Sequence, residues 1–95
     1  MDKQPCVYIL SSPNKKVLYI GVTSQLKIRV WQHKKKQVDG FTQKYDVNIL
    51  VYYEIHETMQ DAIYKEKQLK RWKRGWKNTL IESMNPNYED LFEEL

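Results

Sequence analysis

The run "VYILSSPNKKVLYIG", residues 7–21, constrains the fold of this chain more than any other stretch. Two apolar segments, each carrying a tyrosine, flank a polar loop that holds Pro13 and Asn14, the composition of a β-hairpin. A four-residue loop over 12–15 pairs Ser11 with Lys16 and so sets Tyr8 opposite Tyr19. Directly opposed residues share a face of the sheet and lie within contact distance. The hairpin therefore predicts two phenols side by side, as a packing pair or as the floor of a site.

The rest of the chain supplies the other elements. Strands are predicted over 6–10 and 17–22. "TSQLKIRVWQHKKKQ" reads as a helix, with Thr23 or Ser24 as N-cap and Lys34, Lys35 and Lys36 suited to its C-terminus. "VDGFTQKYD" is a polar loop, and residues 47–55 form the strongest strand pattern. Thr58 and Asp61 have capping-box spacing and open a helix that runs to about residue 73. Gly75 marks a break before a shorter helix ending near Met84, and after a turn at Asn85-Pro86 the chain closes with a final helical turn or two. The order β-β-α-β-α-α predicts a small α+β domain over 1–95, a three-stranded sheet flanked by helices, with the first pair antiparallel and the third strand unplaced.

With 95 residues there is material for one modest core, and seven Tyr, three Trp and two Phe supply much of it. The single cysteine, Cys6, excludes an intrachain disulfide and a thiolate metal cluster. The first ten residues lack the apolar run and cleavage site of a signal peptide, and no segment is long enough to span a bilayer. The expectation is a soluble cytoplasmic protein with no membrane partner.

The formal net charge is +4, and the tail "EDLFEEL" offsets a more basic remainder through Glu89, Asp90, Glu93 and Glu94. From Lys65 to Lys77 there are seven basic residues and one acid. Such a surface favours polyanions through phosphate neutralisation, or is simply a solvated helix face. Lys67, Lys70, Arg71 and Arg74, with Lys34 from the earlier helix, are the candidate phosphate contacts.

That one acid is Glu66. It sits within the Met59–Ala62–Ile63–Leu69 stripe, where a carboxylate is costly unless a cation, hydrogen bonds or a metal compensates it. The plainer alternative is a glutamate at the stripe's edge, paired with a neighbouring lysine. Arg29 and His33, one turn apart, flank the core-facing Leu26–Val30 line. Arginine there can clamp a phosphate and histidine can move a proton, or both are surface cations. Other chemistry is excluded: there is no zinc-ligand spacing, no Gly-rich phosphate loop and no Gly-x-Ser-x-Gly turn. Nothing marks Cys6 as an activated nucleophile.

Together, "VY" at 7–8, "YIG" at 19–21, Arg29 followed by His33, and Glu66 resemble the GIY-YIG nuclease superfamily. The likeness is closest to its small single-domain bacterial members, related to the N-terminal nuclease half of a bacterial excinuclease. It extends to "GVTSQL", "EKQLKRWKRGWK" and "NPNYEDL". The resemblance implies a three-stranded antiparallel sheet and a one-metal endonuclease that hydrolyses DNA phosphodiesters, with RNA also open, in repair or processing of structured DNA. Tyr8, Tyr19, Arg29, His33 and Glu66 match the family's catalytic positions and Gly21 its structural glycine. Glu66 would hold Mg²⁺ or Mn²⁺, and Tyr8 and His33 compete as general base. Two departures stand out: Cys6-Val7-Tyr8 replaces Gly-Ile-Tyr, and the late asparagine of some relatives has two candidate counterparts, Asn78 and Asn85. Two other functions fit the residues: a non-catalytic nucleic-acid-binding module built on residues 65–77, with Trp72 or Trp76 stacking on bases, and an interaction protein whose acidic tail folds over that basic helix.

Overall fold

The computed structural model describes residues 3–38 and 40–95. Strand β1 (Cys6–Ser11) lies between β2 (Leu18–Thr23) and β3 (Ile49–Ile55), antiparallel to both. This fixes the third strand, which the sequence pattern leaves unplaced, at the far side of β1. Every residue of β1 is buried, because both its edges are paired and both its faces are covered.

The hairpin forms, in a different register. Tyr8 pairs with Gly21, and Tyr19 with Leu10, two residues away from the predicted Tyr8–Tyr19 match. The loop still has four residues but occupies 13–16, closed by the Ser12 amide donating to the Val17 carbonyl at 2.9 Å. Asn14 explains the shift: its Oδ1 accepts from the Ser12 hydroxyl at 2.7 Å and from the Lys16 amide at 3.0 Å. Those bonds draw Lys16 into the turn. A shift of two residues preserves side-chain parity, so Tyr8 and Tyr19 still share a face.

Each face of the sheet carries its own core. Val7, Ile9 and Ile20 join Val51 and Tyr52 on one side, under Leu69 of α3 (Met59–Arg71) and Ile81 of α4 (Arg74–Met84). Tyr8 and Leu10 face the other side, with Leu50, Val47, Val30 of α1 (Leu26–Lys34) and Leu91 of a closing 3-10 turn (Leu91–Glu94). A register shift between Ile9 and Leu10 inserts one extra residue in β3, which lets Val51 and Tyr52 both serve the first core.

Several boundaries move for local reasons. Helix α1 starts after Gln25 rather than at Thr23 or Ser24, because Thr23 ends β2 and its hydroxyl accepts the Gln25 amide at 3.0 Å. The predicted 38–46 loop contains a further short helix, α2 (Gly40–Lys44). Thr58 caps α3 as predicted, accepting from the Asp61 amide at 3.1 Å. That helix ends at Arg71, where Trp72 and Lys73 turn extended, and Gly75 lies inside the first turn of α4 rather than at the break. Arg74 then ties α4 to the hairpin loop by donating to the carbonyls of Lys16 at 3.0 Å and Lys15 at 2.6 Å.

Candidate active site

Tyr8 is buried at the centre of the sheet, and its ring lies directly over Gly21. A Cβ at position 21 would stand 2.5 Å from the Tyr8 hydroxyl and 2.6 Å from Cζ, so only glycine admits this ring position. The hydroxyl lies 3.0 Å from Nε2 of His33, which α1 projects inward and which is 2% exposed. The other ring nitrogen, Nδ1, is 3.1 Å from the hydroxyl of Thr42 on α2. Thr42 in turn lies within 3.5 Å of the Val38 carbonyl, to which it donates. In the tautomer with the proton on Nδ1, the Thr42 oxygen accepts from Nδ1–H and Nε2 accepts the phenolic proton.

The two residues that compete as base are therefore bonded to each other. Tyr19 completes an aromatic group, its ring centroid 6.4 Å from Tyr8 and 5.3 Å from His33. Phe41 extends that group from α2, 6.4 Å from Tyr19. Burial raises the Tyr8 phenol well above its usual pKa and the neighbouring Tyr19 adds to the shift, while Arg29, by hydrogen bonding and positive charge, pulls it back. Arg29 also donates to Gln32 Oε1 at 3.4 Å. It lines a polar recess of about 290 Å³ with Thr23, Gln25 and Gln32 at the far end of β2.

Glu66 comes from a different helix than Arg29 and His33. It belongs to α3, which covers the opposite face, and its mostly buried carboxylate accepts from Lys70 at 3.1 Å. The neighbouring-lysine pairing considered for this residue is thus present. Lys70 also links it to the tyrosine side: with Lys77, Leu18, Tyr19, Ile20 and Phe41 it lines a depression of about 290 Å³. Consecutive strand residues point to opposite faces, so a hollow lined by 18, 19 and 20 together lies along the strand's edge. The outer edge of β2 is where the two faces meet.

Among the described residues no three His, Cys, Asp or Glu side chains converge as metal ligands. A single carboxylate does not suit zinc, which takes three or four protein ligands. It does suit Mg²⁺, which keeps most of its waters and needs one or two protein carboxylates. Glu66 is the residue that would hold it, in place of the Lys70 ammonium.

The candidate phosphate contacts divide. Lys67 and Arg71 are exposed on α3, whereas Lys70 is held by Glu66 and Arg74 by the hairpin loop. Lys34 is bound by Asp90, donates to the Asn48 carbonyl at 2.9 Å and lies over Phe92, which makes it a strut for the C-terminal turn. Of the two asparagines, Asn85 is buried and donates to the Val51 and Glu89 carbonyls, while Asn78 accepts from Arg74 at 3.2 Å. Sequence reasoning missed Thr42, Phe41 and Gln32. The signal was there in "VDGFTQKYD", where Phe41 and Tyr45 sit one helical turn apart and their rings meet at 5.1 Å.

A three-stranded antiparallel sheet that carries a tyrosine from each hairpin strand, beside an arginine and a histidine from the following helix, defines a small α+β domain of nuclease type. The chain belongs to the GIY-YIG family: residues 4–79 match the GIY-YIG catalytic domain. Membership places it in a nuclease family and implies nucleic acid as its substrate class. No curated protein matches the sequence. In fold it is similar to the solution NMR structure of UPF0213 protein BH0048 from Bacillus halodurans, at 23% identity, covering 92% of each chain, with a TM-score of 0.58. No described helix is long and apolar enough to cross a membrane.

Proposed function

We propose that this chain is a divalent-metal-dependent endonuclease that hydrolyses phosphodiester bonds in DNA, acting in repair or processing of structured DNA. One observation carries the reading: the buried hydrogen bond between Tyr8 Oη and His33 Nε2, with Arg29 beside it. A phenol with a raised pKa is a poor base alone. Handing its proton to an imidazole that is already bonded to it removes that obstacle.

In this reading Tyr8 takes a proton from the attacking water while its own passes to Nε2. Thr42 holds the imidazole in the tautomer that can accept it. Arg29 pairs with a non-bridging phosphoryl oxygen as negative charge grows there. Tyr19 and Phe41 wall the site against bulk water. Glu66 would hold Mg²⁺ or Mn²⁺, which when bound would supply charge stabilisation for the phosphoryl group and the leaving oxygen.

The test is a cleavage screen of duplex, branched and single-stranded DNA and of RNA with Mg²⁺ or Mn²⁺, run with the wild-type chain and with Tyr8→Phe and Glu66→Gln. The wild type is expected to cleave DNA and both variants to lose at least about a hundredfold in rate, the scale of one acid–base group. Both should stay folded by circular dichroism. Cleavage by Tyr8→Phe at the wild-type rate removes the hydroxyl from the mechanism.

A further inference from the structure

The aromatic residues on the other side of α4 have no part in this site. Trp72, at the end of α3, and Trp76, in the first turn of α4, meet edge to face with centroids 6.0 Å apart. Trp72 packs against the core beneath, whereas Trp76 is 62% exposed. With Thr79, Leu80 and Ser83, which follow Trp76 at helical spacing, they line a groove of about 350 Å³ without a charged lining residue. A large apolar surface left open at the turn between two helices calls for an occupant.

Its surroundings specify which. Lys65 lies 5.5 Å from the Trp72 ring centroid, and Arg71 and Lys73, both exposed, flank Trp72 in sequence. The one acid in this basic run, Glu66, is neutralised by Lys70. Glu54, the acid that approaches from β3, lies 4.0 Å from Lys65 and is also engaged by His56 and Tyr52. The exposed indole of Trp76, with Lys65 beside its neighbour Trp72, complements a flat base joined to a phosphate. Lys77, the residue after Trp76, lines the Tyr19 depression.

We propose that the Trp72–Trp76 groove is a stacking site for unpaired nucleobases, so that this chain's substrate is a nucleic acid with single-stranded segments rather than continuous duplex. Duplex bases are already stacked on each other and cannot present a face to Trp76. A splayed strand can, with Lys73 and Lys77 available to its phosphates. This rests on the nucleic-acid reading above and adds to it the substrate's strandedness.

The experiment measures binding without divalent metal, so that cleavage does not interfere. Fluorescein-labelled oligothymidylate and a duplex of equal length are titrated with wild type, Trp76→Ala and Trp76→Phe at two salt concentrations. Trp76→Ala is expected to weaken single-strand binding about tenfold or more and to leave duplex binding unchanged, while Trp76→Phe keeps most of the affinity. Salt dependence should stay as in the wild type, because no charge is removed. Equal single-strand affinity in Trp76→Ala, or an equal loss on duplex, overturns the stacking site while the nuclease reading stands. A wild-type chain that binds neither probe overturns both. Sedimentation that shows a dimer dissolved by Trp76→Ala assigns the groove to a second copy and overturns the proposal.

Discussion

Gly21 and Tyr8 form one unit, and neither position makes sense alone. The absence of a side chain at 21 lets the phenol cross the strand and reach His33. Gly21→Ala should push the ring aside by more than its hydrogen bond can follow. We expect cleavage to fall about a hundredfold, with a lower melting temperature, because the ring is buried and packed in the sheet's core. A Gly21→Ala variant that cleaves normally would show that the ring position is not needed. Cys6, in the position that gives the family its first glycine, is buried and its thiol is pushed up to about 11. A raised folded pKa stabilises the fold while the thiol stays neutral. That contribution is complete below about pH 9 and is lost as pH rises toward 11. The unfolding free energy from urea denaturation should therefore fall between pH 9 and 11 by on the order of 2 kcal/mol, with buried Tyr8 and Tyr52 adding to the loss above about pH 10. Cys6→Ala should remove the earliest part of that decline, and an unfolding free energy flat to pH 11 would contradict it.

Between residues and the whole stand the elements, where the sequence is legible wherever a pattern is local. Thr58 caps α3, residues 49–55 form a strand within the predicted 47–55, and the glutamate embedded in the α3 stripe is there with a mostly buried carboxylate. The hairpin register is not legible, because it turns on which backbone amide the Asn14 carboxamide captures. The break after α3 departs from expectation for a similar reason. Glycine is the usual stop, but here the half-buried Trp72 ring packs on the core and the backbone turns extended there. Among the candidate site residues, Arg29 and His33 are legible as a pair from their spacing. Their relation to Tyr8 depends on tertiary packing across α1 and β1, which no spacing encodes. Asn85 shows what a buried amide does at this scale. It binds β3 through the Val51 carbonyl and closes on Glu89 in both directions, which fixes the path of the C-terminal segment. Asn85→Ala leaves those buried groups unpaired and should cost roughly 2–3 kcal/mol in chemical denaturation. A loss below about 0.5 kcal/mol would show that the segment is held mainly by Leu91.

At the level of the whole molecule, charge and architecture are divided between the two faces of the sheet. The acidic tail does not fold over the basic helix. Asp90 pairs with Lys34, and Leu91, Phe92 and Leu95 pack in the Tyr8-side core, so Lys67, Arg71 and Trp76 stay exposed on the opposite face. Strand β2 is the thin wall between those faces, with Tyr19 turned to one and Ile20 to the other. Any odd-length insertion within it would exchange the two, driving a phenol into the α3-side core and leaving the Tyr8–His33 cluster without its second tyrosine. Neither face can drift without the other, and even the turn at 13–16, outside the ladder, is tied to α4 by Arg74. A mutational record of such a chain would show a strand frozen in length.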